Sequence, residues 1–149
     1  MHVLFVCSGN TCRSPLAEAI ARKIVAGAGR TDVEVSSAGT HAWVGSPASD
    51  GAVLVGMERG LDLTSHRSRL LTREILDQSD LVLVMSPSHL ARVRELSPKA
   101  NAYLLAGFST GRENHAVQDP FGGDLTAYRE TTDDLEKELA GLLEKIAST

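Results

Sequence analysis

The residues of this chain best suited to chemistry are Cys7 and Arg13, in the stretch Val6-Cys7-Ser8-Gly9-Asn10-Thr11-Cys12-Arg13-Ser14-Pro15. A cysteine is a nucleophile only as its thiolate, and nearby cations and amide donors favour that form. Backbone N–H groups of a curled loop and the Arg13 guanidinium would supply both, depressing the Cys7 pKa. The same groups would hold the equatorial oxygens of a phosphoryl group, with Arg13 binding bidentately. Ser14 Oγ can donate to the sulfur. Gly9 permits a tight turn, and Asn10 tolerates a left-handed backbone while its amide braces the loop.

Such a loop needs a rigid element on each side. Val3-Leu4-Phe5-Val6 is an apolar run that reads as a buried parallel strand. Leu16, Ile20 and Ile24 recur at helical spacing. Ser14 is the expected N-cap and Pro15 the first helical residue. A strand-to-helix loop of this kind sits at the positive end of a helix dipole and binds anions.

Further elements follow the same alternation. Ala26-Gly27-Ala28-Gly29 closes the first helix, and Val33–Ser36 reads as a second strand. Residues 39–48 read as a loop, and residues 49–59 as a helix marked by Val53 and Met57. Leu61-Asp62-Leu63 is a short extended piece, and Thr72 caps a helix through Leu76. Leu81–Met85 reads as the third strand, Ser86-Pro87 opens a helix to about Leu96, and Ala102–Leu105 is the fourth strand. Residues 106–123 read as one long loop, a length that is usually functional in a compact domain. A last helix carries Leu135, Leu139, Leu142, Leu143 and Ile146 on one face, with a solvated Glu and Lys run from Glu136 to Lys145 opposite. Strands alternating with helices imply a doubly wound α/β fold with a parallel sheet and helices on both faces.

The two cysteines share one loop, so they are not a disulfide framework of a secreted domain. The five histidines show no metal-ligand spacing. His41, His89 and His115 read as surface residues. The net charge of −4 makes nucleic acid and anionic membranes unnatural partners. The 149 residues suit one domain, 1–149, and 42% hydrophobic residues can fill its core. No leader or spanning segment is expected, because the first strand follows Met1 at once. A cytoplasmic protein fits these features.

Cys7-x5-Arg13-Ser14 directly after the first strand resembles the signature of the low-molecular-weight protein tyrosine phosphatases. Val117-Gln118-Asp119-Pro120-Phe121 resembles that family's general-acid loop, and Ser36–Thr40 and Trp43 also match. The resemblance covers essentially the whole chain. It implies a four-stranded parallel sheet of order 2-1-3-4, with the first strand beside the switch point where such folds bind ligands. It implies catalysis by Cys7, Arg13 and Asp119 without a cofactor or metal, through a thiophosphate intermediate. Ser8, Gly9, Asn10, Thr11, Cys12 and Ser14 would complete the phosphate loop. Asn10, Ser37 and His66 would brace it, while Trp43 and Phe121 would wall the substrate side chain. Apart from the resemblance, Cys12 shares the loop with Cys7 and would trap an oxidised Cys7 as a disulfide; the alternative reading makes it only a small packing residue. The implied partners are phosphorylated proteins, with phosphate ion as product and a monomer as the acting form.

Two features resemble the protein arginine phosphatase branch of the family. Thr11 stands where tyrosine-specific members usually carry Ile or Leu. The acid loop reads Asp119-Pro120-Phe121-Gly122-Gly123, without the aromatic pair of the eukaryotic tyrosine-specific members. Phosphoarginine in proteins is therefore the leading substrate and phosphotyrosine the alternative. Other readings remain beside these. Cys7 alone could be a small buried residue, and Asp119 a turn residue before Pro120. An arsenate reductase shares the loop but needs further cysteines after Cys12. A nucleotide-binding P-loop lacks its Gly-Lys-Ser/Thr here. A non-catalytic phosphate-binding module would not need Cys7, Arg13 and Asp119 together.

Overall fold

The computed structural model describes residues 1–147. Its strands are β1 (His2–Cys7), β2 (Glu34–Gly39), β3 (Leu81–Val84) and β4 (Ala102–Leu104). All pair in parallel, in the order β2-β1-β3-β4. The helices are α1 (Arg13–Gly27), α2 (Asp50–Glu58), α3 (Arg73–Asp77), α4 (Pro87–Leu96), α5 (Leu105–Thr110), α6 (Leu125–Leu139) and α7 (Leu142–Ala147).

Alternation along β1 divides the interior in two. Val3, Phe5 and Cys7 face a core with Leu16 and Ile20 of α1, Leu135 and Leu139 of α6, and Leu142 of α7. Leu4 and Val6 face the other core, with Leu76 of α3 and Val93 of α4. A strand buried on both faces must be apolar throughout, which is why β1 reads as an unbroken run. Cys7 is its last residue and pairs in register with Gly39 at the end of β2. Both strands therefore deliver their C-terminal ends to one place.

Several elements depart from expectation. Helix α1 starts at Arg13 with Cys12 at the N-cap position, so Ser14 and Pro15 lie two positions deeper than expected, and no side chain caps it. Its first amides face the Cys7 loop, and the Ser14 hydroxyl is used on Cys7 instead. On α2 the buried residues are Ala52, Val55 and Gly56, while Met57 is exposed. That helix packs through small residues against α1 and α6, which leaves its large apolar side chains outside. Residues 106–123 are not structureless: α5 begins at Leu105 and ends at Gly111, which takes the left-handed conformation with φ 78°. Leu105 and Ala106 are fully buried, and that packing stabilises a helix too short to stand on its own propensity.

The last helical segment is two helices, α6 and α7, broken at Ala140-Gly141. Asp124 caps α6, accepting from Ala127 N at 3.0 Å. Leu135, Leu139, Leu142 and Ile146 are buried as expected, and Leu143 is partly buried. The opposite run is not wholly solvated, because Glu138 has no exposed surface. Among the described residues, no helix is long and apolar enough to cross a membrane.

Candidate active site

The loop from Cys7 to Ser14 is curled by hydrogen bonds from both sides. Thr40 N donates to Cys7 O, His41 N to Ser8 O and Ser49 N to Thr11 O, each at 2.9 Å. Gly39 lets the end of β2 lie this close to the loop. A Cβ there would lie 2.4 Å from Ser8 O and 2.9 Å from Asn10 N, closer than any side chain tolerates. At the turn, Asn10 has φ 56°, the one positive φ outside glycine among the described residues. Asparagine takes that conformation more readily than most residues. Three contacts hold it there: Arg69 N donates to its Oδ1 at 2.9 Å, His66 Nε2 to its carbonyl at 2.7 Å, and its Nδ2 donates to Ser37 Oγ at 2.9 Å.

The same amide sets the direction of a hydrogen-bond chain. Glu18 Oε1 can only accept as a carboxylate, so Ser37 Oγ donates to it at 2.6 Å and accepts from Asn10. Asn10 Nδ2 gives its second hydrogen to Ser14 Oγ at 2.7 Å. The Ser14 hydroxyl proton is then free to point at Cys7 Sγ, 2.9 Å away. Glu18 was not foreseen. Its signal is its place four residues after Ser14, one turn along the same face of α1.

Burial pushes the Cys7 thiol above the ordinary cysteine value. The Ser14 hydroxyl, the amides of Ser14 and Asn10 and the charge of Arg13 all pull it down. The expected depression of the Cys7 pKa is therefore not the state of the free site. In it, desolvation outweighs donors that are already aimed at the sulfur.

Arg13 is 6% exposed. Its Nη1 donates to Val117 O at 3.2 Å, and its Nη2 lies 3.4 Å from Ser8 Oγ and 3.6 Å from Asp119 Oδ2. The guanidinium thus joins the loop to the distant segment that carries Asp119. Asp119 is exposed, and its Oδ1 accepts from Phe121 N at 3.1 Å. Cys7, Thr11, Cys12, Arg13, Trp43, Asp119 and Phe121 all line one open cavity of about 340 Å³. Trp43 and Phe121 stand at its rim, 84% and 71% exposed. Cys12 Sγ faces Ser49 Oγ at 3.2 Å and Tyr128 Oη at 3.5 Å.

His89 contradicts its reading as a surface residue. It is buried, with Nε2 2.8 Å from Ser8 Oγ and Nδ1 3.0 Å from Ser86 Oγ. Burial, then the charge of Arg13, pull its pKa down to about 4. Its signal was present: it lies four residues before the buried Val93, on one face of α4. His41 is exposed, and His115 is partly buried against Asp134 Oδ2 at 2.7 Å. Sequence spacing offers no metal site, yet the fold brings ligand atoms of His115, Asp134 and Glu138 within 4.8 Å of one another. The Arg112 guanidinium already contacts both carboxylates there.

A strand that ends in a cysteine, a curled amide-lined loop and an arginine on the next helix define a cysteine phosphate-loop protein of α/β architecture. The sequence model of the low molecular weight phosphotyrosine protein phosphatases matches residues 2–149, and the chain belongs to that family. It is 40% identical over 148 residues to a protein-arginine-phosphatase of Geobacillus stearothermophilus, covering 97% of this chain and 95% of that one. The fold is similar to a mutant YwlE arginine phosphatase with a phosphorylated active-site serine, at TM-score 0.92 and 36% identity, covering 99% and 96% of the two chains. It is also similar to a low molecular weight protein tyrosine phosphatase from T. tengcongensis, at TM-score 0.90 and 39% identity, covering 97% and 99%.

Proposed function

We propose that this chain removes phosphoryl groups from arginine side chains of proteins, with Cys7 as nucleophile and Asp119 as acid and base. One observation carries the reading. Cys7 Sγ, at the base of the cavity, receives the Ser14 hydroxyl, and Asp119 stands at the rim 3.6 Å from Arg13.

The Cys7 thiolate attacks phosphorus in line, so a sulfur–phosphorus bond forms as the phosphorus–nitrogen bond breaks. Asp119 gives its proton to the departing guanidine nitrogen. The Asp119 carboxylate then takes a proton from water, whose oxygen bonds phosphorus and releases the sulfur. Ser14 donates to that sulfur as it leaves. Arg13 and the loop amides hold the equatorial oxygens throughout, where charge stabilisation contributes most.

The preference for arginine rests on Thr11 and Phe121-Gly122-Gly123. Thr11 puts a hydroxyl on the cavity wall, which suits a planar guanidinium, and Asp119 can hydrogen-bond the same group. Phosphotyrosine is the second reading, favoured by Trp43 and Phe121, two exposed aromatic side chains that line the cavity. On this proposal the whole chain acts as one domain and as a cytoplasmic monomer. It releases phosphate ion and uses no cofactor, metal or nucleic acid. Asn10, Ser37 and His66 keep the loop in shape, and Cys12 shields Cys7 from over-oxidation.

Acid quench during turnover of a phosphoarginine peptide, followed by peptide mass spectrometry, should find one phosphoryl group on Cys7. Cys7→Ser should lower turnover by more than about 10³-fold, the scale for loss of a nucleophile. Full turnover in that variant, or a phosphoryl group on another residue, overturns the mechanism.

A further inference from the structure

Asp119 is exposed, and a proton donor misplaced by about 1 Å can lose on the order of 10²-fold in rate. Something must hold the segment that ends in it. Gln118 O accepts from Thr131 Oγ1 of α6 at 3.1 Å, and Val117 N donates to Met85 O at 2.8 Å. Upstream, the same face of α6 offers Asp134 and Glu138, at helical spacing from Thr131. His115 Nε2 lies 2.7 Å from Asp134 Oδ2, and Arg112 Nη2 bonds both carboxylates. At the end of α5, Ser109 Oγ donates to Glu138 Oε2 at 2.6 Å, and Thr110 Oγ1 lies 2.8 Å from it.

This is not a solvated surface pair. Glu138 has no exposed surface, yet burial does not neutralise it. Against the upward push of desolvation, the Ser109 hydroxyl, Arg112 and the Thr110 hydroxyl hold its carboxyl below the ordinary glutamate value. Arg112 Nη2 donates to both carboxylates, while its Nε is buried without a hydrogen-bond partner. Glu138 is the buried member and Arg112, Asp134 and His115 are partly exposed, so losing a partner of Glu138 leaves its charge uncompensated where water cannot replace it. Every member outside α6 lies within residues 109–115, directly before the acid loop.

We propose that Glu138 and Asp134 are positioning residues: with Arg112 and His115 they clamp residues 109–118 to α6 and so fix where Asp119 stands over Cys7. The proposal rests on the reading of Asp119 as general acid. The phosphate-holding half touches the clamped segment through Arg13 Nη1 to Val117 O, but its loop amides make none of these contacts, so phosphate binding should change far less than proton delivery.

The test compares phenyl phosphate, whose leaving group needs a proton, with para-nitrophenyl phosphate, whose leaving group needs it far less. Glu138→Gln and Asp134→Asn should each lower kcat/KM, which reports transfer to Cys7 before the water step shared by both substrates, by about 10–100-fold on phenyl phosphate, the scale of a misplaced reacting group, and by less than about threefold on para-nitrophenyl phosphate. Inhibition by inorganic phosphate should stay within about twofold. In an Asp119→Asn background, Asp134→Asn should add no further loss on phenyl phosphate, because the group it positions is gone. Should Glu138→Gln fail to fold, His115→Gln, at the half-buried edge of the cluster, carries the same expectation with a smaller effect. Equal losses on both substrates, no loss, or full additivity with Asp119→Asn overturns the clamp. If Asp119→Asn alone shows no dependence on the leaving group, the acid reading itself fails, and the clamp fails with it.

Discussion

The two halves of the cavity are held in opposite ways. In the phosphate loop, Asn10 and Ser14 have no exposed surface and Arg13 has 6%. Asn10 and Ser14 are fixed by hydrogen bonds within the loop and from the segments beside it, and Arg13 is held by Ser8 Oγ and by Val117 O of the acid side. The acid side is exposed at Asp119 and Phe121, and its nearest support comes from α6, residues later in the chain. On the proposed mechanism, the difference follows from what each half must do. Holding an anion needs donors fixed before it arrives, since a preorganised site has no reorganisation to perform during reaction. Delivering a proton to a protein substrate needs a carboxyl that faces outward. One half is built into the core, and the other is moored to it.

The comparison breaks first at Asp119. Asp119→Asn should slow cleavage of an unactivated substrate by roughly 10²–10⁴-fold, the contribution of general acid–base catalysis. Phosphate binding should survive, because the loop from Cys7 to Ser14 is untouched. Steady-state kinetics with a phenyl phosphate and inhibition by inorganic phosphate separate the two, and a variant with near wild-type kcat removes Asp119 from the chemistry.

The buried half should also show itself in acid. His89 titrates near 4 in the folded chain, below the 6.5 of an ordinary histidine. As pH falls, the unfolded chain takes up this proton first. The stability involved is fully present above about pH 6.5 and is lost progressively as pH falls through about 4. The loss amounts to about 3 kcal/mol at most, from about 1.4 kcal/mol for each pH unit between the two values. Urea denaturation between pH 7 and 4 should show a steeper fall for the wild type than for His89→Asn. Parallel curves would mean that His89 is not held neutral between Ser8 and Ser86.

A smaller test concerns Cys12. Peroxide should inactivate the protein, and thiol should restore it, if a sulfenic acid on Cys7 is captured by Cys12. In Cys12→Ser the inactivation should become irreversible. Reversibility unchanged in that variant assigns Cys12 to packing against Ser49 and Tyr128 instead.

The same contrast decides what could be read from sequence. The phosphate loop was legible because its chemistry is contiguous: a buried strand that ends in a cysteine, a turn and an arginine follow one another between residues 2 and 13. The sheet order was legible through the family resemblance, which also aligned Asp119 with the acid. What was not legible depends on contacts between distant segments. Glu138 looks like part of a charged helix face until α5 is seen to end against it, and α5 has too few residues to announce itself by periodicity. Ser14 was read correctly as a donor to Cys7 and wrongly as an N-cap: a capping hydroxyl accepts from a helix amide, whereas the helix already begins at Arg13 and Ser14 Oγ accepts from Asn10 Nδ2. His89 was misread because its residue type outweighed its place on the buried face of α4. The direction of the Cys7 shift was missed for a related reason: sequence lists the donors but not the depth of burial that opposes them.

The central claim is that this site is shaped for a phosphorylated guanidinium, and Thr11 is the residue that carries it. The most direct measurement is kcat/KM for the wild type and Thr11→Ile on matched phosphoarginine and phosphotyrosine peptides. Both residues are β-branched, so the loop backbone should tolerate the exchange. The wild type should prefer phosphoarginine, and Thr11→Ile should move the ratio toward phosphotyrosine by about ten- to two-hundred-fold, the worth of one such group in a pocket. A wild type that already prefers phosphotyrosine, or a ratio that Thr11→Ile leaves unmoved, contradicts it.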